Sequence, residues 1–255
     1  MNKTIKIYFL LGLLFFVHSQ ITATPNLRGE IGLKPISPLV VLQDKDTTYL
    51  LEYQRIKQLY EKEDFTTALK LALQLDTRLE KKNSIEVKYA NTFLIGKIFR
   101  KRNLHQKALT YYKKALDFLE KEERLKDGEL FFLDKLFERE KKIANTLLNI
   151  GSEYYSLNKK DSAAIYYKKS IEISSLNKFP EIKASGYGNL SGLYLAKEDF
   201  ALAKEYALNA VDIYRISNNK LLESSALNNY GSVFLVEKKY EEARKIYTQA
   251  IDLIK

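Results

Sequence analysis

Shifted by 40 residues, much of this chain lies on top of itself. Asn149, Asn189 and Asn229 coincide, as do Tyr154, Tyr194 and Phe234; Ala163, Ala203 and Ala243; Ser170, Ala210 and Ala250; and Ile171, Val211 and Ile251. The same shift sets Leu59 on Phe99, Phe65 on His105, Ala68 on Ala108 and Leu69 on Leu109, and a step of 55 from Ala108 to Ala163 joins the two series. Lys-Glu-Asp-Phe recurs at equivalent positions, 62–65 and 197–200. A period of this size is one supersecondary unit that cannot bury its apolar face alone, so the units must stack.

Each unit reads as two amphipathic helices. In residues 108–116 the apolar positions fall at i, i+4 and i+7, one face of a helix. The chain carries only 10 Gly and 4 Pro, and three of the prolines (Pro25, Pro35, Pro38) sit near the start. Such a composition favours helix. Asp64, Asp161 and Asp199 are placed to cap second helices, and Pro180 suits a first helical turn.

At these residues the chain resembles the tetratricopeptide repeat (TPR) family. That pattern asks for a small residue and an aromatic in the first helix, then alternating aromatic and small residues in the second. The matching positions are Ile56, Leu59, Phe65, Ala68, Ala72 and Leu75 in a degenerate first repeat, then Gly96, Phe99, His105, Ala108, Tyr112 and Ala115. The third repeat has Gly151, Tyr154, Lys160, Ala163, Tyr167 and Ser170; the fourth Ser191, Tyr194, Phe200, Ala203, Ala207 and Ala210; the fifth Gly231, Phe234, Tyr240, Ala243, Tyr247 and Ala250. The resemblance implies an all-α fold, a right-handed superhelical TPR solenoid of antiparallel helix pairs over residues 47–255, with five repeats. It departs from the family in its 40-residue period, where about 34 is usual, and in having no Trp. The 15 additional residues between repeats two and three are expected as lengthened helices around 120–142, broken near Asp127-Gly128.

The N-terminus has a different character. Lys3 and Lys6 precede an apolar run at 7–17, and Val17-His18-Ser19 offers a cleavage site before Gln20. Residues 1–19 are therefore expected to be a signal peptide and the protein exported, periplasmic or secreted. The run is short of the roughly 20 residues that span a bilayer, so a retained membrane anchor is the lesser alternative. Residues 20–46, with most of the prolines, read as a linker.

The formal net charge is +10, but Lys and Glu alternate along most segments, as on solvated helix faces. Binding to a nucleic-acid backbone stays open as a lesser reading. There is no Cys, which removes disulfides, thiolate metal sites and cysteine nucleophiles. Beyond His18 the only histidine is His105, at a position where the repeat packs an aromatic. No metal site, cofactor or catalytic constellation is expected. Glu122-Glu123 and Glu241-Glu242 lie in charged helical runs, and the glycines of 186–192 lie inside a repeat's first helix with no strand before them, unlike a phosphate-binding loop. The paired tyrosines Tyr111-Tyr112, Tyr154-Tyr155 and Tyr166-Tyr167 fit a packing pattern.

What remains is a binding protein without catalytic activity. In TPR proteins the first helices line a concave groove. The resemblance implies groove positions at Tyr53, Lys57 and Tyr60, then Phe93, Lys97 and Arg100, then Asn149, Ser152, Ser185, Asn189, Ser225, Asn228, Asn229 and Ser232. The early groove is aromatic and basic, which suggests an acidic or aromatic-bearing peptide. The later groove is small and polar; its Asn residues would either hydrogen-bond a peptide backbone or bridge neighbouring helices. The two-carboxylate clamp of chaperone-binding TPR domains is absent, because Ser185, Asn189, Ser225 and Asn229 stand where it would be basic. The leading expectation is a protein- or peptide-binding scaffold of the cell envelope. The alternative is the sensor portion of an envelope regulator, with end-to-end self-association through the last repeat as a further expectation.

Overall fold

The computed structural model describes residues 45–82, 85–123 and 132–255. Within them lie ten helices and no strand. They are α1 (Lys45–Glu61), α2 (Phe65–Leu79), α3 (Ile85–Lys101), α4 (His105–Glu123), α5 (Phe132–Ser156), α6 (Lys160–Leu176), α7 (Pro180–Leu195), α8 (Phe200–Ile216), α9 (Lys220–Val236) and α10 (Tyr240–Asp252). They form five consecutive pairs, one for each repeat read from the sequence. The compact unit they build begins at Lys45. Helices α4, with 19 residues, and α5, with 25, are the longest of the ten. The expected signal peptide, nearly all of the linker and the break near Asp127-Gly128 lie outside the described residues.

Seven turns among the described residues use the same backbone device. Glu63, Asn103, Asn158, Glu198 and Lys238 have φ between 57° and 64°, and each lies just before the second helix of its pair. Lys178 and Asn218 do the same between pairs. This left-handed conformation is costly for residues other than Gly or Asn. Replacing the exposed Lys238, at φ 64°, with Gly should therefore raise stability by about 0.5–1 kcal/mol. A denaturation midpoint at or below wild type would show that the turn is not strained.

Side-chain caps follow at three helix starts. Asp64 accepts from the Thr67 amide at 3.0 Å, Asp199 from Leu202 at 3.1 Å and Asn219 from Leu222 at 3.1 Å. Asp161 is not a cap, contrary to the reading from sequence. Helix α6 starts one residue before it, with Lys159 at the cap position. Asp161 instead pairs with Lys197 of the next repeat at 2.6 Å, and this hydrogen bond holds its carboxyl below the usual range. Pro180 opens α7 as expected.

Inside each pair, one residue of the first helix meets the residue 16 positions later in the second, and their sizes compensate. A Cβ on Gly96 would stand 2.8 Å from the Tyr112 ring, one on Gly151 2.6 Å from Tyr167, and one on Gly231 2.7 Å from Tyr247. Where the second helix has Ala instead, the first carries a larger residue: Ile56 with Ala72, and Ser191 with Ala207. All four of these residues are buried. Ser191 also donates to the Ala203 carbonyl at 2.8 Å, so its hydroxyl is satisfied inside the pair.

The core runs through the array as linked clusters. Ile56, Leu75, Ile95, Ile98 and Tyr112 anchor the first repeats, and Ala115, Leu119, Ile143 and Leu147 join α4 to α5. Tyr167, Leu190 and Leu193, then Val211, Leu227 and Ile246, carry it onward. This neighbour-to-neighbour burial is how a solenoid gains stability. Polar links reinforce it: Lys114 to Asp76 at 2.8 Å, Lys160 to the Ala196 carbonyl at 2.7 Å and Lys204 to Glu237 at 2.9 Å.

Candidate functional site: the inner face of the first helices

The early part of the groove, on α1 and α3, is aromatic and basic as read from sequence, but its cations are already engaged. Lys57 faces Glu61 at 3.6 Å. Lys97 stands 4.5 Å over the ring of Tyr60, and burial and then the neighbouring Lys57 push its pKa down. Burial raises the phenols of Tyr53 and Tyr60. Phe93 packs between Tyr89, at 5.6 Å, and Tyr112, at 5.2 Å, as part of the core wall.

Arg100 reaches across to α5. Its Nη1 donates to Asn149 Oδ1 at 2.6 Å, and its Nε lies 2.9 Å from Glu153 Oε1. No N–H is aligned on that oxygen for a hydrogen bond, so the contact holds by charge. The other carboxylate oxygen of Glu153 meets His105 Nδ1 at 2.8 Å. The Glu153 side chain has no exposure at all. An acidic ligand entering here would have to displace an internal partner from each cation.

Two expectations change at this point. His105 does not simply fill an aromatic slot; it is a polar partner to a buried carboxylate. Asn149 is not free either, because its oxygen takes the Arg100 bond and its nitrogen donates to the Asn145 carbonyl at 2.7 Å. Ser152 is likewise committed, donating to the Leu148 carbonyl at 3.1 Å and accepting from the Tyr167 hydroxyl at 3.4 Å. Glu153 escaped notice in the sequence, although the register marks it. Ile98, Leu193 and Val233 occupy the equivalent positions in other repeats and are fully buried.

The later groove is different. Between α7 and α9 lies a cavity of about 480 Å³, within the range of small-ligand and peptide pockets. Asn189 and Asn229 line it, with Ser185, Ser225 and Ser232 from the predicted set. Asn228 does not; its carbonyl instead accepts from Ser232. Asn189 and Asn229 make no hydrogen bond among the described residues, and they sit at the same position of successive repeats. Their carboxamides, each a donor and an acceptor, face open space. Tyr155, Tyr214, Leu195, Leu222, Gly188 and Gly192 also line the cavity and were not foreseen. Tyr155, read as packing, is 39 % exposed. Gly188 and Gly192 both belong to the glycine-rich stretch 186–192, whose composition is the sequence signal for them. Among the described residues no cluster of His, Asp and Glu is arranged to hold a metal ion, and no helix is long and apolar enough to cross a membrane.

Residues 183–255 match the family described as Tetratricopeptide repeat, and residues 144–175 match a second family of the same description. Tetratricopeptide repeats are therefore present in the chain, and its fold is an all-α helical repeat. No curated protein sequence matches it. Solved structures with this fold include BtubC from P. vanneervenii, 20 % identical with a TM-score of 0.62 over 78 % of this chain and 76 % of that one. A Rap protein complexed with competence and sporulation factor is 18 % identical, with a TM-score of 0.64 over 80 % of this chain and 53 % of its own. The Rap conjugation gene regulator of plasmid pLS20, in complex with a Phr peptide, is 16 % identical with a TM-score of 0.62 over 99 % of this chain and 64 % of its own. The chain thus spans between half and two thirds of the length of these Rap proteins.

Proposed function

We propose that this protein is a non-catalytic binding scaffold that holds an extended peptide or protein segment in the cavity between α7 and α9. The observation that carries this reading is the pair of unpaired carboxamides, Asn189 and Asn229, set one repeat apart on the wall of that cavity. An extended peptide presents an N–H and a carbonyl at each residue, and a carboxamide meets both. The structural likeness to Rap proteins, two of them solved with a bound factor or peptide, supports the same reading. The charge and apolar pattern of residues 1–19 supports export to the envelope. One structural neighbour is a gene regulator, which favours a sensor role as the second reading.

The test is affinity capture from envelope extracts by wild type and by the Asn189→Ala, Asn229→Ala double variant. The double variant should keep its helical circular dichroism and lose at least ten-fold in affinity for whatever wild type retains. Equal retention by both would remove the site. For export, intact-mass analysis of protein made in a native-like host should find a chain beginning at Gln20; one retaining Met1 would remove the signal-peptide reading.

A further inference from the structure

We infer that the segment held in this cavity is uncharged and lays one bulky apolar side chain over Gly188 and Gly192. The inference rests on the groove reading above and adds the ligand's chemistry. Its first support is charge. The chain carries 42 Lys and Arg and 32 Asp and Glu, yet no charged side chain lines the cavity. A charged ligand group placed there would lose water and gain no counter-charge, which is unfavourable.

The second support is the state of the polar groups. Ser185 donates to the Glu181 carbonyl at 2.8 Å and Ser232 to the Asn228 carbonyl at 2.8 Å, so these hydroxyls are spent within their own helices. The two Asn carboxamides and the Ser225 hydroxyl remain, all of them uncharged, and they suit a peptide backbone better than an ionised side chain.

The third support is the behaviour of the glycines. Gly186 is required by packing, since a Cβ there would stand 2.6 Å from Ile171. Gly192 has nothing within 4 Å of the place a Cβ would take, and Gly188 meets only the Asn229 amide nitrogen at 3.8 Å. Glycine inside a helix costs stability relative to alanine. Gly188 and Gly192 bear that cost one helical turn apart without a packing reason, and both open into the cavity. Leu195, Leu222 and Tyr155 bound the space beside them with apolar surface. A Phe- or Leu-sized side chain fits such a floor, and burial of its apolar area supplies the driving force.

The experiment uses the full chain and a library of terminally blocked peptides about eight residues long, a length that spans roughly 25 Å when extended. Every position is randomised. Selection is run at high salt, to screen non-specific attraction of acidic peptides to this basic chain. Wild type should retain a pool depleted in Asp, Glu, Lys and Arg and enriched at one position in Phe, Leu or Tyr. Gly192→Leu should bind the best of these peptides at least ten-fold more weakly while melting no lower than wild type. Gly186→Ala, by contrast, should melt lower. A pool rich in acidic or basic residues overturns the inference, as does equal affinity of wild type and Gly192→Leu for the same peptide. If Asn189→Ala, Asn229→Ala loses the pool and Gly192→Leu keeps it, the groove stands and only the apolar anchor falls. If wild type retains no peptide, both fall.

Discussion

Arg100→Ala should lower the stability of the folded chain by about 3 kcal/mol. The variant strips the guanidinium from Glu153, a carboxylate with no exposure, and leaves it only His105. Breaking a buried ion pair on one side typically costs about 3–5 kcal/mol, because the remaining charge stays desolvated. The lower end applies here, since His105 still meets one oxygen and the Arg100 side chain is itself 37 % exposed. Removing both charges has a different outcome. In the Arg100→Ala background, Glu153→Leu should recover most of the loss, because Leu193 fills the equivalent position of the next repeat. Urea titrations of the two single variants and the double variant form the cycle. An Arg100→Ala variant within about 0.5 kcal/mol of wild type would mean that water, not the arginine, satisfies the carboxylate.

Tyr167→Ala should cost about 3–5 kcal/mol, the usual price of deleting a buried ring. Tyr167 is 2 % exposed, and its ring lies against the open side of Gly151. Gly151→Ser alone should also destabilise, by about 1–3 kcal/mol, because its Cβ would press on that ring. Together the two changes recreate the Ser191 and Ala207 pair of the fourth repeat. Their combined loss should therefore be smaller than the sum of the single losses, by about 1 kcal/mol or more. Additive losses in a denaturant series would show that the two positions do not share one space. The sign of the coupling is the decisive quantity, since any large-to-small change in a core lowers stability.

The helical pairs were legible because period and small residues are written directly in the chain. Ala68, Ala108, Ala163, Ala203 and Ala243 mark one close contact five times, and each is buried. The groove was legible only as a list of exposed-looking positions on first helices. Lys97 and Arg100 looked like ligand-binding cations because sequence shows their charge but not the Tyr60 ring or the Glu153 carboxylate that each meets through folding. Asn149 was grouped with Asn189 and Asn229 by register. Register is blind to what a long side chain reaches: Arg100 of α3 meets Asn149 and Glu153 of α5, whereas Tyr155, Leu195 and Leu235 stand at its position in the later repeats. The glycines of α7 show the same limit. Gly186 and Gly192 are one letter in the sequence, and only their surroundings separate the one that packs from the one that opens.

The size compensation between residues 16 apart is settled inside each repeat. A repeat can change from glycine and tyrosine to serine and alanine by two exchanges within itself, provided the next repeat fills what the ring leaves, as Leu190 and Leu193 now pack on Tyr167. The array therefore behaves as a row of cassettes, each able to drift in sequence as long as the surface it offers its neighbours is kept. The inner-face residues ride on those same cassettes. A lineage can in this way replace the chemistry of one stretch of the groove, as the contrast between the ion-paired α3 and the carboxamide-bearing α7 suggests, and leave the rest of the superhelix as it was.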